Sequence, residues 1–406
     1  MHTLIIGGGA AGMAAAIACA RKGDRVTVVE RGRKPMKKLG VTGNGRGNLL
    51  NAGAPCYYGD QPFALDVLRH MPYENIAAFL RSCGIALTLE DEGRIYPASF
   101  LAASAVDALM NTAQELGVSF VLSTRVTHIE PGFAVHAVQT LFAPDTVLKS
   151  GRVKPGAPIG EQETVLKADR VIVAAGGAAS PAHLTDGTAY EMLTAFGHEL
   201  VAPRPALCAL TAEKAPIEGL SGQRARAALI LDGQFASQGE ILFADDGVSG
   251  IAAMQLARFV KPGSRLVIDL REAIMGEEAR MDVDAWLASR PARRMSSLLT
   301  GAASPQLSNA LLRMARIRPD TAPDAASIHA LAQVIRRFEV SVTGTRGFEA
   351  AQVTAGGISC AQFDPATMES RLCPGLHAAG EILNVDGACG GFNLMFAFAC
   401  GLLCAQ

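Results

Sequence analysis

An α/β fold with a parallel sheet, assembled from both ends of the chain and interrupted by two insertions, is predicted by three observations. The first 30 residues read as strand, glycine turn, helix, strand. Arg170-Val-Ile-Val-Ala-Ala-Gly-Gly177 is an unbroken apolar run ending on glycines, the pattern of a parallel strand covered on both faces. Glycine-rich, strand-like sequence returns only after Val340 and closes on an apolar helix, Phe392–Cys404. Between these parts, residues 200–265 show short β-like runs, and 271–338 show helical patterns rich in Ala, Leu and Arg.

Taken in order, Thr3–Ile6 is the first strand, followed by Gly7-Gly-Gly-Ala-Ala-Gly12 and an Ala-rich helix to Lys22. Gly23-Asp24 breaks that helix, and Arg25–Glu30 is a second strand ending in a carboxylate. A GxGxxG at a strand-to-helix junction is the context in which this pattern binds a dinucleotide. Gly7 permits the tight turn, Gly9 lets the backbone approach a pyrophosphate, and Gly12 lets the helix pack on the strand. The pyrophosphate belongs at the positive end of the helix, on its free N–H groups. Glu30 can grip ribose hydroxyls and favours an unphosphorylated ribose, hence FAD or NAD.

Residues 34–51 form a Gly/Asn/Lys loop, and apolar spacing predicts helices over 62–83 and 101–116. Gly93–Pro97 reads as a strand entering a turn, and Val118–Leu122 and Arg125–Glu130 as strands. Residues 149–162 read as a polar hairpin tip or loop, and 186–197 as a helix. Ala227–Leu231, Glu240–Phe243 and Ser264–Asp269 are the clearest strands of the β-rich insertion.

Composition narrows the classes of function. Thirty-seven Lys and Arg against 38 Asp and Glu give a net charge of −1, which argues against wholesale electrostatic capture of nucleic acid. No run approaches the ~18 apolar residues of a spanning helix, and the first strand begins too early to leave room for a secretion signal. Nine scattered cysteines without a CxxC pair point to a reduced, cytoplasmic setting, with no disulfide frame and no metal site.

The tail selects FAD, a long cofactor that needs a second anchor. Gly380-Glu381 follows a short apolar run, placing a carboxylate where it can accept from ribitol hydroxyls. Asp386–Asn393 leads into the last helix, whose free N–H groups can stabilise negative charge on a reduced flavin. In order along the chain stand GGGAAGMAAA, KLGVTGNGRGNLLN, GRIYP, VIVAAGGAASP, PALCAL, GEILFADDGVSG, TAGGIS, TMES and PGLHAAGEILNVDGACGGFNL. This series resembles the YhiN/BaiN-like family of bacterial flavoproteins, relatives of the glutathione-reductase-type FAD fold. The resemblance implies a Rossmann-like FAD-binding domain over 1–195 and 345–406. It also implies a β-barrel-like insertion over 196–270 and 339–344, and a helical one over 271–338. Activities attributed within the family include reduction of a conjugated C=C bond in a steroid-like acid, reduction of a ribosomal RNA uridine, and aminoacetone oxidation. The chain departs from the family pattern at Gly47, where cysteine is usual, and at Ala244-Asp245, Asn384 and Met395, as a divergent subfamily does.

The expected cofactor-binding residues at the front are Gly7, Gly9, Ala10, Ala11, Gly12, Glu30, Arg31 and Lys38. Thr42, Gly43, Asn44, Arg46 and Val126 follow, then Ala175, Gly176 and Gly177, and in the tail Gly380, Glu381, Gly391, Phe392 and Asn393. Catalytic candidates are Arg46, which can hold an anionic substrate or cofactor phosphates, Asn48, which can donate to a carbonyl or a flavin edge, and Tyr96, a proton donor or a packing residue. His377 and Cys389 read as structural. No second GxGxxG follows a central strand, so NAD(P)H is expected only as a transient electron donor.

Three functions fit. One is a reductase or dehydrogenase acting on an activated C=C or C–N bond of a small molecule. Another is an RNA-modifying flavoenzyme, suggested by nine Lys/Arg against two acids over 21–46 and eight Arg against three acids over 290–340. The third is a non-catalytic flavin-binding scaffold. The oligomeric state is not legible.

Overall fold

A computed structural model describes residues 1–147 and 153–406. They divide into two compact units, Met1–Arg204 with Val353–Gln406, and Pro205–Gln352.

The first unit is built on a five-stranded parallel sheet. Its order is Leu376–Ala378, Arg170–Val173, His2–Ile6, Arg25–Val29, Ser119–Val121. A strand from the C-terminal segment thus lies two places from the N-terminal strand, in one sheet. Leu4, Ile5, Val171, Ile172 and Val173 are fully buried, as an unbroken apolar pattern requires. Helix Ala10–Arg21 packs against helix Phe392–Leu403. The contact is close because both present small residues, and a side chain at Gly401 would overlap the Ala11 carbonyl oxygen. The last helix has no polar stripe because it is buried nearly all round.

Three expected elements differ in detail. The run 62–83 is two helices, Gln61–His70 and Tyr73–Ser82, because Pro72 has no N–H with which to continue the first. The helix expected over 186–197 shrinks to Tyr190–Thr194. There the Asp186 carboxylate accepts from the N–H and hydroxyl of Thr188 (3.2 and 2.8 Å) and holds the preceding residues in a turn. Of the expected polar tip 149–162, residues up to 152 lie outside the described residues. The remainder includes Val153–Lys154 and the start of strand Pro158–Lys167, which pairs antiparallel with Ala134–Phe142.

The second unit holds a closed antiparallel barrel. Its six strands run in the order Leu210–Ala212, Gly247–Ser249, Phe235–Ala244, Arg224–Leu231, Ser264–Asp269, Phe338–Thr345. Phe243 and Phe338 meet edge to face in its interior, ring centroids 6.0 Å apart. Between its last two strands come Arg271–Met275, Val283–Ala288, Pro305–Met314 and Ala325–Arg336, the last started by an Asp324–Ser327 capping box. Among the described residues no helix is long and apolar enough to cross a membrane.

Candidate functional site

The three glycines of the first turn are there for different physical reasons. Gly7 adopts φ +99°, and a Cβ there would sit 2.6 Å from the Ala174 carbonyl oxygen. A Cβ on Gly12 would overlap the Gly7 carbonyl oxygen, so helix and strand meet only without one. Gly9 has an ordinary extended backbone, φ −79° and ψ −167°, and a Cβ there would meet nothing within 4 Å. Neither conformation nor protein packing requires glycine at position 9. The space in front of Gly9, at the start of a 12-residue helix, is what a bound pyrophosphate needs.

Glu30 closes the second strand. Its Oε2 accepts from the Gly8 N–H (2.8 Å) and its Oε1 from the Gly32 N–H (2.6 Å), which aims the carboxylate back at the glycine turn. Arg31 beside it is held by Asp186 at 2.9 Å. Val126 is buried in strand Thr124–Ile129, whose Thr124 N–H donates to the Glu30 carbonyl (2.9 Å).

A second cluster joins four separate stretches of sequence. Glu381 accepts from Lys38 Nζ at 2.7 Å and, through its other oxygen, from the Thr354 N–H (3.0 Å) and hydroxyl (2.9 Å). The Thr354 Oγ1, fully buried, also accepts from the N–H groups of Ala178 and Ala179, both at 2.9 Å. These are the residues following Ala175-Gly176-Gly177, and a Cβ on Gly177 would overlap that hydroxyl. Sequence reasoning missed Thr354. The available signal was its place at the head of Thr-Ala-Gly-Gly, one polar side chain entering a strand otherwise read as apolar.

The loop after Lys38 is a tight turn in which Gly43, Asn44, Gly45 and Gly47 all have positive φ, the conformation that favours Gly and Asn. Gly47, at +79°, has the Ala102 Cα only 3.0 Å from where a Cβ would stand, so this backbone has no room for cysteine. The turn projects Arg46 over the rings of Tyr96 and Phe100 (4.8 and 4.7 Å to the centroids). Its nearest carboxylate, Glu90, is a loose 3.8 Å away. Asn48 Oδ1 is buried with no protein partner among the described residues, an acceptor left for a ligand.

At the start of the last helix, Gly391 has φ +104°. Phe392 is buried against Tyr57, whose hydroxyl donates to the Phe392 carbonyl (3.0 Å). The Asn393 side chain is committed to the preceding loop, accepting from the Gly387 N–H (2.7 Å) and donating to the Gly387 carbonyl (3.0 Å). Asn393 therefore shapes the approach to the helix. A Cβ on Gly380 would stand 2.9 Å from the Ala11 Cβ, so glycine there lets the two terminal segments close on each other. Burial pushes the Cys389 thiol up, which suits a packing role.

His377 is buried in strand Leu376–Ala378 with Nδ1 3.0 Å from the Thr367 carbonyl oxygen. Burial lowers its pKa to about 4. The folded chain therefore keeps it neutral while the unfolded chain protonates near pH ~6.5. Stability is complete above pH ~6.5 and is lost as pH falls towards 4, by about 2 kcal/mol between pH ~7.5 and ~5. His377→Gln is expected to flatten that part of the acid limb in urea titrations. An unchanged slope would assign the effect to other groups.

Two carboxylates supplied by opposite ends of the chain, Glu30 at the first glycine turn and Glu381 tied through Thr354 to the turn after Val173, suit a ligand longer than a mononucleotide. Such a molecule is an FAD-binding oxidoreductase of the Rossmann type. The chain belongs to the HI0933-like family, whose model, described as the HI0933-like protein Rossmann domain, matches residues 1–406. It is 33% identical to a 3-dehydro-bile acid delta(4,6)-reductase of Clostridium scindens, over 99% of this chain and 97% of the relative. It is 25% identical to a ribosomal RNA dihydrouridine synthase of Escherichia coli strain K12, over 99% and 96% of the two chains. Among solved structures, the 3-ketosteroid-delta4-(5alpha)-dehydrogenase from Rhodococcus jostii RHA1 aligns with 100% of this chain and 96% of its own at 16% identity and a TM-score of 0.49.

Proposed function

We propose that the protein is an FAD-dependent reductase or dehydrogenase that moves hydride through flavin N5 to or from an activated C=C bond of a small molecule. The observation that carries the reading is the end-to-end match to a relative named for reducing double bonds. The free space at Gly9 and the orphaned Asn48 oxygen support a flavin in this chain. Bound flavin supplies the hydride chemistry; the chain holds it and orients the substrate. We assign Gly7–Gly12 and Glu30 to its adenosine and pyrophosphate half. The turn after Val173, Glu381 and the residues about Gly391 go to its ribitol and ring half. Arg46, on its aromatic bed, binds an anionic group of the substrate, and Asn48 hydrogen-bonds a flavin edge. NAD(P)H acts as a transient donor, in a reducing cytoplasm that suits nine cysteines none of which joins a disulfide.

Side-chain pairing favours a small molecule over RNA. In the first basic cluster Arg31, Arg33 and Lys38 face Asp186, Asp145 and Glu381 at 2.9, 2.5 and 2.7 Å. In the helical insertion Arg336 meets Asp284 at 2.8 Å, Arg294 meets Asp320 at 3.5 Å, and Arg337 meets Glu339 at 3.2 Å. Arg290 donates to the Leu298 and Thr300 carbonyls (2.6 and 2.8 Å). Charges neutralised within the chain contribute little positive field to a phosphate backbone.

The test is anaerobic reduction of the purified yellow protein by NADPH, followed by a conjugated enone. The expected result is rapid reoxidation by the enone. Arg46→Met is expected to raise KM for a carboxylate-bearing enone about tenfold over a neutral one at similar kcat. Salt-dependent binding of ribosomal RNA, with loss of rRNA dihydrouridine in a deletion strain, would replace this reading with the RNA one. Flavin that no donor reduces would replace it with a scaffold.

A further inference from the structure

The hairpin formed by strands Thr124–Ile129 and Ala134–Phe142 carries a group of side chains that the flavin site does not use. We propose that His128, Glu130 and His136 form a site for a divalent transition metal ion of the zinc or nickel kind. The two histidines stand directly opposite each other across the strands. Their rings are stacked, centroids 4.1 Å apart and 14° between planes. Glu130 follows His128 by two residues, the spacing that returns a side chain to the same face of an extended chain. One ligating atom from each of the three lies within 4.8 Å of the other two.

A β-bulge creates this arrangement. The register steps from Val126↔Ala137 to His128↔His136, leaving Thr127 as the extra residue, and bulges re-aim the side chains beside them. Thr127 and His128 are consequently both exposed, between buried Val126 and Ile129. The Thr127 hydroxyl donates its one hydrogen to the His136 carbonyl (3.1 Å). Its contact with His128 Nδ1 at 3.2 Å must then be Nδ1–H donating to Oγ1. That leaves the lone pair of neutral His128 on Nε2, the tautomer control that outer partners exert on metal-binding histidines.

His136 Nε2 lies 3.1 Å from Glu130 Oε1, yet out of hydrogen-bond geometry, and it is buried with no other partner. Two ligands each ~2.0–2.1 Å from one ion stand about that far apart. A stacked pair of surface histidines needs no such orphaned nitrogen aimed past a carboxylate. Two imidazoles and one carboxylate suit zinc, nickel or copper, whereas magnesium and calcium take oxygen ligands. With three protein ligands a further position is open to water.

Cobalt(II) serves as the spectroscopic probe on the full-length protein, with zinc(II) followed by thermal melting. The expected result is one equivalent of cobalt with visible ligand-field absorption and no thiolate charge-transfer band, together with a rise in Tm on adding zinc. Both signals are expected to disappear in His128→Ala/His136→Ala, which changes one exposed and one half-buried side chain and whose metal-free melting reports its folding. Thr127→Val, which frees the His128 tautomer, is expected to weaken binding about tenfold. Cobalt absorption that persists in the double variant, or no stoichiometric absorption in the parent, would overturn the proposal.

Discussion

Gly9→Val is expected to fold almost as the parent does and to purify colourless, whereas Gly12→Ala loses both fold and flavin. The contrast follows from space alone. At Gly12 a single added carbon runs into the Gly7 carbonyl oxygen, and separating helix Ala10–Arg21 from strand His2–Ile6 costs about 3 kcal/mol or more. At Gly9 the backbone already has a conformation open to any residue, and the first added carbon enters free space with no heavy atom within 4 Å. The change costs no more than about 1 kcal/mol through a poorer helix start. The same carbons occupy the room assigned to the pyrophosphate, and flavin affinity is expected to fall by about two orders of magnitude, or about 3 kcal/mol. Urea unfolding and the flavin-to-protein absorbance ratio separate the two variants. A yellow Gly9→Val protein with parental stoichiometry would show that the dinucleotide lies elsewhere.

Thr354→Val is the second large effect. The change preserves shape but removes an oxygen that accepts from two backbone N–H groups and donates to the Glu381 carboxylate. Leaving such buried groups without partners is expected to cost about 3 kcal/mol. Flavin affinity should fall as well, because the turn after Val173 and the Glu381 carboxylate lose their common tether. Thr354→Ser keeps the oxygen and drops one methyl, at a cost of about 0.8 kcal/mol. If the valine and serine variants unfold at the same urea concentration, the hydroxyl is not the tether.

The parts legible in the sequence are those where chemistry is local. A GxGxxG turn, the carboxylate at the end of the next strand and the apolar run at Arg170 each announce themselves within a dozen residues. Pro72 and Asp186-Gly187 also carry local signals, and they outweigh the helical periodicity around them. Thr354 was not legible because its role depends on Ala178 and Ala179, about 175 residues earlier. The strand order of the barrel is hidden for the same reason, since Leu210 pairs with Thr345 across most of the second unit. His128 and His136 were obscured by the bulge, which shifts the alternation that would have put them on one face.

The placement of Leu376–Ala378 beside Arg170–Val173 has a consequence for biosynthesis. A nascent chain that has emerged only as far as residue 352 carries the contiguous segment Pro205–Gln352 in full. Its parallel sheet still lacks the edge strand, and the Arg170–Val173 edge stays open. Until Leu376–Ala378 leaves the ribosome, that edge is free to pair with another chain. Termination before residue 376 should therefore yield aggregates rather than a shortened but soluble protein.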